Sequence, residues 1–162
     1  MLDRDAYDRL VDATDPAAVI VTAAAGDERA GCLVTFDAPC SVTPPLYAIW
    51  LSDRNHTHDI ACSSGVLTVH LLDATADRQL AELFASVSGH DTDKFARCSW
   101  QQHGDAVVLD LATGYFTADI TNCLPTGDHT LFVLSPTHVG GRVPLRPMRF
   151  SDAQHLPPGR PP

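Results

Sequence analysis

The stretch Tyr115-Phe116-Thr117-Ala118-Asp119-Ile120-Thr121-Asn122-Cys123 sorts its side chains into two sets. Tyr115, Thr117, Asp119, Thr121 and Cys123 alternate with Phe116, Ala118, Ile120 and Asn122. Successive side chains of a strand point to opposite faces, so this period of two predicts a half-exposed antiparallel strand. The neighbouring sequence continues the pattern. Ala106 to Leu111 and His129 to His138 are strand-like, Gly127-Asp128-His129-Thr130 forms a tight turn that launches the later strand, and Gly140-Gly141 closes it.

Toward the N-terminus, Leu2, Ala6, Leu10 and Val11 fall at near-helical spacing among acids, which predicts a short leading helix over residues 3 to 12. Asp15-Pro16 breaks it, and Ala17 to Ala23 reads as a buried strand ended at Gly26-Asp27. Further strands are expected at Ala30 to Phe36, Leu46 to Leu51 and Val66 to Leu72. Between the last two, Ser52 to His58 reads as a loop leading into a short helix, with Asn55 or Thr57 as N-cap. Ala76, Leu80, Leu83, Phe84 and Val87 share one face at a period of 3.6, predicting a helix over 75 to 87 that Asp73 or Thr75 caps and Gly89 ends. Residues 88 to 104 read as irregular and polar. Six or seven strands and two substantial helices, not regularly alternated, disfavour a doubly wound parallel sheet. A mainly β fold is predicted instead, an antiparallel barrel with helices over its openings.

The chain has 162 residues, of which 44% are hydrophobic and 19% charged, so it fits one domain with a core and is too apolar for disorder. A net charge of −9, with a single lysine at Lys94, argues against nucleic acid, whose phosphates need a clustered basic face. Arg142, Arg146, Arg149 and Arg160 make the C-terminal stretch mildly basic, which reads as a solvated end. Five cysteines without a Cys-x-x-Cys pair read as reduced intracellular thiols and as small core hydrophobes. The acidic start Met1-Leu2-Asp3-Arg4-Asp5 lacks the apolar run of a signal peptide, and no stretch is long enough to span a bilayer. The expectation is a cytoplasmic protein with no membrane partner.

Several chemistries have no motif here. There is no Gly-x-Gly-x-x-Gly, no phosphate-loop lysine signature and no Gly-x-Ser-x-Gly elbow. His56-x-His58 is the one close histidine pair, and it lacks the further ligands a metal site needs, so no metal is expected. Three polar segments stand out: Thr35 to Thr43, Ser52 to His58, and Gly127 to Thr130. Each alone reads as turn and cap chemistry. The second, just before a helix, also suits an anion.

Gly31-Cys32-Leu33-Val34-Thr35-Phe36, Ser41-Val42-Thr43-Pro44-Pro45-Leu46, Leu51-Ser52-Asp53-Arg54-Asn55-His56-Thr57, Asp93-Lys94-Phe95 and Gly127-Asp128-His129-Thr130-Leu131-Phe132, in that order, resemble the flavin reductase-like domain family. The resemblance covers residues 14 to 150, with 1 to 13 as a helical arm and 151 to 162 as a Pro-rich tail. It implies an FMN-binding split β-barrel, a homodimer, and an NAD(P)H-dependent oxidoreductase that passes hydride to FMN. FAD or a deazaflavin is the alternative cofactor. A flavin-dependent monooxygenase is the implied recipient of reduced flavin, and a flavin carrier or redox sensor without turnover is the alternative role. By the same resemblance, Val34, Thr35, Phe36, Asp37, Ala38, Cys40 and Ser41 run along the isoalloxazine as a loop. Ser52, Asn55, His56 and Thr57 hold the flavin phosphate, Lys94 and Phe95 approach the cofactor, and His129 serves nicotinamide use. The chain differs from the family's usual Ser/Thr run at Phe36-Asp37-Ala38-Pro39. A carboxylate at Asp37 is unfavourable beside an electron-rich ring unless it points away.

Overall fold

The computed structural model describes residues 1–86 and 93–156. In chain order the elements are α1 (Arg4–Asp12), β1 (Val19–Ala25), β2 (Glu28–Val34), β3 (Asp37–Ser41), β4 (Leu46–Ser52), α2 (His56–Ser63), β5 (Val66–Leu71) and α3 (Arg78–Ser86). A 3-10 turn (Lys94–Arg97) follows, then β6 (Trp100–His103), β7 (Ala106–Leu109), β8 (Gly114–Pro125), β9 (His129–Gly141) and α4 (Phe150–Ala153). Seven strands form one antiparallel sheet in the order β2-β1-β5-β8-β9-β4-β3, and β6 pairs with β7 in a separate ribbon. This is the mainly β, antiparallel architecture expected from the alternation in β8.

β1 explains its own unbroken apolar run. Val19, Val21 and Ala23 enter one core with Ile49, Leu51, Leu67, Val69, Phe132 and Leu134, closed by Ile60 and Ala61 of α2. Ala18, Ile20 and Ala24 enter a second core with Leu80 and Phe84 of α3, Phe95, Val107 and Leu109. A strand covered on both faces has no polar parity to show. His70 ties the two sheets together. Its Nε2 accepts the Leu109 N–H at 3.0 Å, and its Nδ1 lies 3.1 Å from the Ile20 carbonyl, to which it donates.

Four expectations need correction. Residues 37–41 are the edge strand β3, not a loop; Pro39 is tolerated because an edge strand needs no donor on its open side. The helix expected from residue 75 begins at Arg78, because the Asp73 carboxylate accepts the N–H groups of Thr75 and Ala76 at 2.9 and 3.1 Å and holds a turn there. Trp100–His103, expected to be irregular, pair with β7. Of the cysteines, Cys32 is a core residue, but Cys40, Cys62 and Cys123 are exposed. The expected helix positions Val87 and Gly89, and the Pro-rich end from residue 157, lie outside the described residues. Among the described residues no helix is long and apolar enough to cross a membrane.

The outer strands of the seven-strand order are β2 and β3, which are consecutive in the chain. Only Thr35 and Phe36 separate them. The chain thus steps from one edge of the curled sheet to the other in two residues. That step marks the seam of the barrel.

Candidate functional site

A cleft of about 220 Å³ opens along this seam, walled by Cys32 to Phe36 on one side and Trp50 to Ser52 on the other, with Asn55 at one end and His129 at the mouth. A wider chamber of about 500 Å³ shares Thr35, Phe36, Trp50 and His129 with it and is bounded by Val11, Thr14, Pro16, Asp37, Thr126 and Asp128. The two are halves of one groove.

The local sequence shapes each wall. Trp50 N–H donates to the Phe36 carbonyl at 2.9 Å, which pins the crossing segment against β4. Phe36 itself is 52% exposed, an unusual setting for a phenyl ring, and it lies 5.1 Å from the His129 ring. The turn between β8 and β9 fixes that histidine. Thr126 donates to the His129 carbonyl through its N–H at 2.8 Å and its hydroxyl at 3.0 Å, while Gly127 takes φ +84°, a left-handed conformation that suits glycine. His129 Nδ1 lies 2.7 Å from the Asp128 carboxylate, and that hydrogen bond holds the Asp128 carboxyl below the usual range. With Nδ1 so engaged, Nε2 is the ring nitrogen left to face a ligand.

At the far end, Asn55 caps α2: its side-chain oxygen accepts the Thr57 N–H at 3.0 Å, and Thr57 is buried beneath it. Ser52 and the N-cap residue Asn55 line this end of the cleft, just before α2, a setting that favours a negative charge. Between the two ends the lining is mostly apolar, through Leu33, Val34, Trp50 and Leu51. Asp37 is the exception on the chamber side. Burial pushes its carboxyl up to about 6, although its Oδ1 accepts the Tyr47 hydroxyl at 2.9 Å. Its other oxygen is buried without a partner.

Of the residues the sequence pointed to, the structure gathers Val34, Thr35, Phe36, Asp37, Ser52, Asn55 and His129 on the groove. His56 and Thr57 follow directly in α2. Ala38, Cys40 and Ser41 continue along β3 and line neither half. Lys94 and Phe95 do not reach the groove wall. The Lys94 ammonium donates to the carbonyls of Gly31 and Phe84 at 2.9 and 3.0 Å, and Phe95 packs between Phe84 and Trp100 in the second core. Both support β2 from behind. The groove residues that sequence reasoning missed are Trp50, Asp128, and the α1 flank of Val11, Thr14 and Pro16. Trp50 reads as one more apolar residue of a strand. Its size beside Ser52-Asp53 is the only signal it gives.

An apolar slot between aromatic side chains, with a helix N-terminus at one end and a histidine at the other, suits a flat heteroaromatic ligand with an anionic tail. The donor set fits a flavin nucleotide. Ser52 and the N-cap residue Asn55 would hold the phosphate, and Thr35, Phe36 and Trp50 would flank the ring.

The model of the flavin reductase like domain matches residues 13–152. Among solved structures, the chain is similar to an FMN-binding protein from Thermus thermophilus (TM-score 0.72, 19% identity, covering 78% of this chain and 71% of that one). It is similar to an NADH:FAD oxidoreductase from Streptomyces globisporus (TM-score 0.73, 21% identity, 88% and 86% covered). A nitrilotriacetate monooxygenase component B homologue from Mycobacterium thermoresistibile is also similar (TM-score 0.76, 19% identity, 90% and 80% covered). No curated protein matches the chain. With the family's model matching residues 13–152, nearly the whole length, the chain belongs to the flavin reductase-like domain family.

Proposed function

We propose that this chain is an oxidoreductase that binds a flavin, FMN or alternatively FAD, in the seam groove and uses NADH or NADPH to reduce it. The observation that carries the reading is the groove itself, where an apolar aromatic slot joins a capped helix N-terminus to the Asp128–His129 pair. Bound flavin supplies the two-electron redox chemistry; the chain's part is to bind, orient and exclude water. Ser52, Asn55 and α2 take the phosphate. Phe36 and Trp50 would flank the ring, and the wide chamber has the room for a nicotinamide. His129, oriented by Asp128, presents Nε2 to that second ligand. Positioning of the two rings carries most of the rate, so the groove needs no acid–base pair. The similarity to a monooxygenase component supports delivery of reduced flavin to an oxygenase.

An anaerobic titration tests this. FMN fluorescence should quench on binding, and added NADH or NADPH should bleach the flavin absorbance faster than in protein-free buffer. His129→Ala should slow bleaching about tenfold, about 1.4 kcal/mol of barrier, while shifting flavin Kd by less than about threefold. Unquenched FMN overturns flavin binding. Quenching without accelerated bleaching leaves a flavin carrier in place of a reductase.

A further inference from the structure

Three of the five cysteines are exposed, and two of those, Cys62 and Cys123, lie on α2 and β8. Cys62 lies in the last turn of α2. Cys123 stands opposite Phe132 in the β8–β9 ladder, so the two side chains share a face of the sheet. Phe132 is fully buried on the side that α2 covers, with its ring 6.1 Å from that of His58. The register therefore aims Cys123 toward α2. His58 is the hub between them: its Nε2 lies 3.0 Å from the Thr130 hydroxyl, 3.4 Å from Asp53 and 3.6 Å from the Cys62 sulfur, and its Nδ1 lies 3.5 Å from Asp59. The groove does not use this cluster.

We propose that Cys62 and Cys123 are a peroxide-responsive dithiol that closes into an intramolecular disulfide, fastening α2 to the hairpin arm of β8. The oxidant is a hydroperoxide, taken here as hydrogen peroxide. The Cys62 thiol loses its proton to water, and the thiolate attacks one peroxide oxygen. The S–O bond forms as the O–O bond breaks, leaving a sulfenic acid and hydroxide, which takes the proton back as water. The Cys123 thiol gives its proton to water and its thiolate attacks the Cys62 sulfur; the S–S bond forms, the S–O bond breaks, and the departing hydroxide takes up that proton as a second water. Two electrons leave the two thiols and reduce one peroxide. Burial, then the neighbouring Cys123, Asp59 and Asp53, push the Cys62 thiol up. Little thiolate is present at neutral pH, so closure is slow there and quickens as pH rises.

Alkylation mass spectrometry of the full-length chain, exposed to hydrogen peroxide and digested without reductant, tests the pair. A Cys62–Cys123 cross-linked peptide is expected, with both alkylated peptides falling together and returning after dithiothreitol. In Cys62→Ser, Cys123 should remain alkylatable. In Cys123→Ser, Cys62 should stop at a sulfenic acid that dimedone labels. Exposed Cys40 serves as the internal control for general oxidation. Sulfinic or sulfonic Cys62 without a cross-link, equal loss of Cys123 in Cys62→Ser, or oxidation of Cys40 alone would overturn the proposal.

Discussion

Asp37 carries a carboxyl where a ligand-binding groove has least use for a negative charge. One oxygen is engaged by Tyr47 and the other is buried with no partner. Its folded-state value of about 6 lies above the 3.8 of an unperturbed carboxyl. The folded form therefore holds its proton more tightly than the unfolded chain does. Stability is lost as pH rises from about 4 through 6, and the full cost is present above that window. Asp37→Asn keeps an acceptor for Tyr47 and removes the ionisation. It should raise stability by about 1–2 kcal/mol at pH 7.5, discounted for partial exposure, and by nothing measurable near pH 4. Urea denaturation at the two pH values checks this; an equal gain at both would show that the charge is not the cause. Neutral Asn should also tighten flavin binding at pH 7.5, because the buried charge facing an electron-rich ring is gone. The concern raised by Phe36-Asp37-Ala38-Pro39 in the sequence is met by geometry at one oxygen and left standing at the other. Tyr47, ten residues on, turns one oxygen aside, and no sequence pattern announced that partnership.

Among the elements, β2 shows how a strand is held from behind so that its end can shape a groove. Gly31 lets the Phe84 ring of α3 lie directly on the strand: a β-carbon there would come within 2.6 Å of that ring and 3.1 Å of the Thr22 methyl. Phe84 is clamped edge-on by Phe95, so it has little freedom to retreat. Gly31→Ala should cost about 1–3 kcal/mol, seen as a lowered Tm, and should weaken flavin affinity because the Cys32–Phe36 wall moves with it. An unchanged Tm would show that the contact relaxes freely. What could be read beforehand differs from element to element. β8 was legible because one of its faces is wet and the alternation survives. β1 was legible as a strand from its β-branched apolar run alone. β3 was not: it is a short edge strand, interrupted by Pro39, whose ladder lies entirely with β4. β6 was missed because its side chains are largely exposed and its pairing is with β7 alone. Around the groove, the segments at Thr35, Ser52 and His129 that the resemblance pointed to are brought together by the fold. Lys94 and Phe95 lie instead behind β2, and adjacency in a family motif does not say which face of a strand a side chain supports.

For the molecule as a whole, the two sheets share a buried imidazole. His70 is fully enclosed and burial lowers its pKa to about 4, against 6.5 in the open. The unfolded chain takes up that proton first as pH falls. The contribution is complete above about 6.5 and drains away as pH drops to 4, on the order of 3 kcal/mol in all. Unfolding free energies measured from pH 7 to 4 should show this loss. His70→Leu should flatten the slope while lowering stability at pH 7 by about 1–3 kcal/mol, since the Leu109 N–H and Ile20 carbonyl lose their partner. A slope that persists in His70→Leu would assign the acid sensitivity elsewhere. The barrel's other global feature is the two-residue crossing from one sheet margin to the other at Thr35-Phe36. A cylinder laced all the way round would spend its main-chain donors and acceptors on itself. This one stays unzipped along a single line, so whatever settles there takes the place of a missing strand, and occupancy becomes a form of mending.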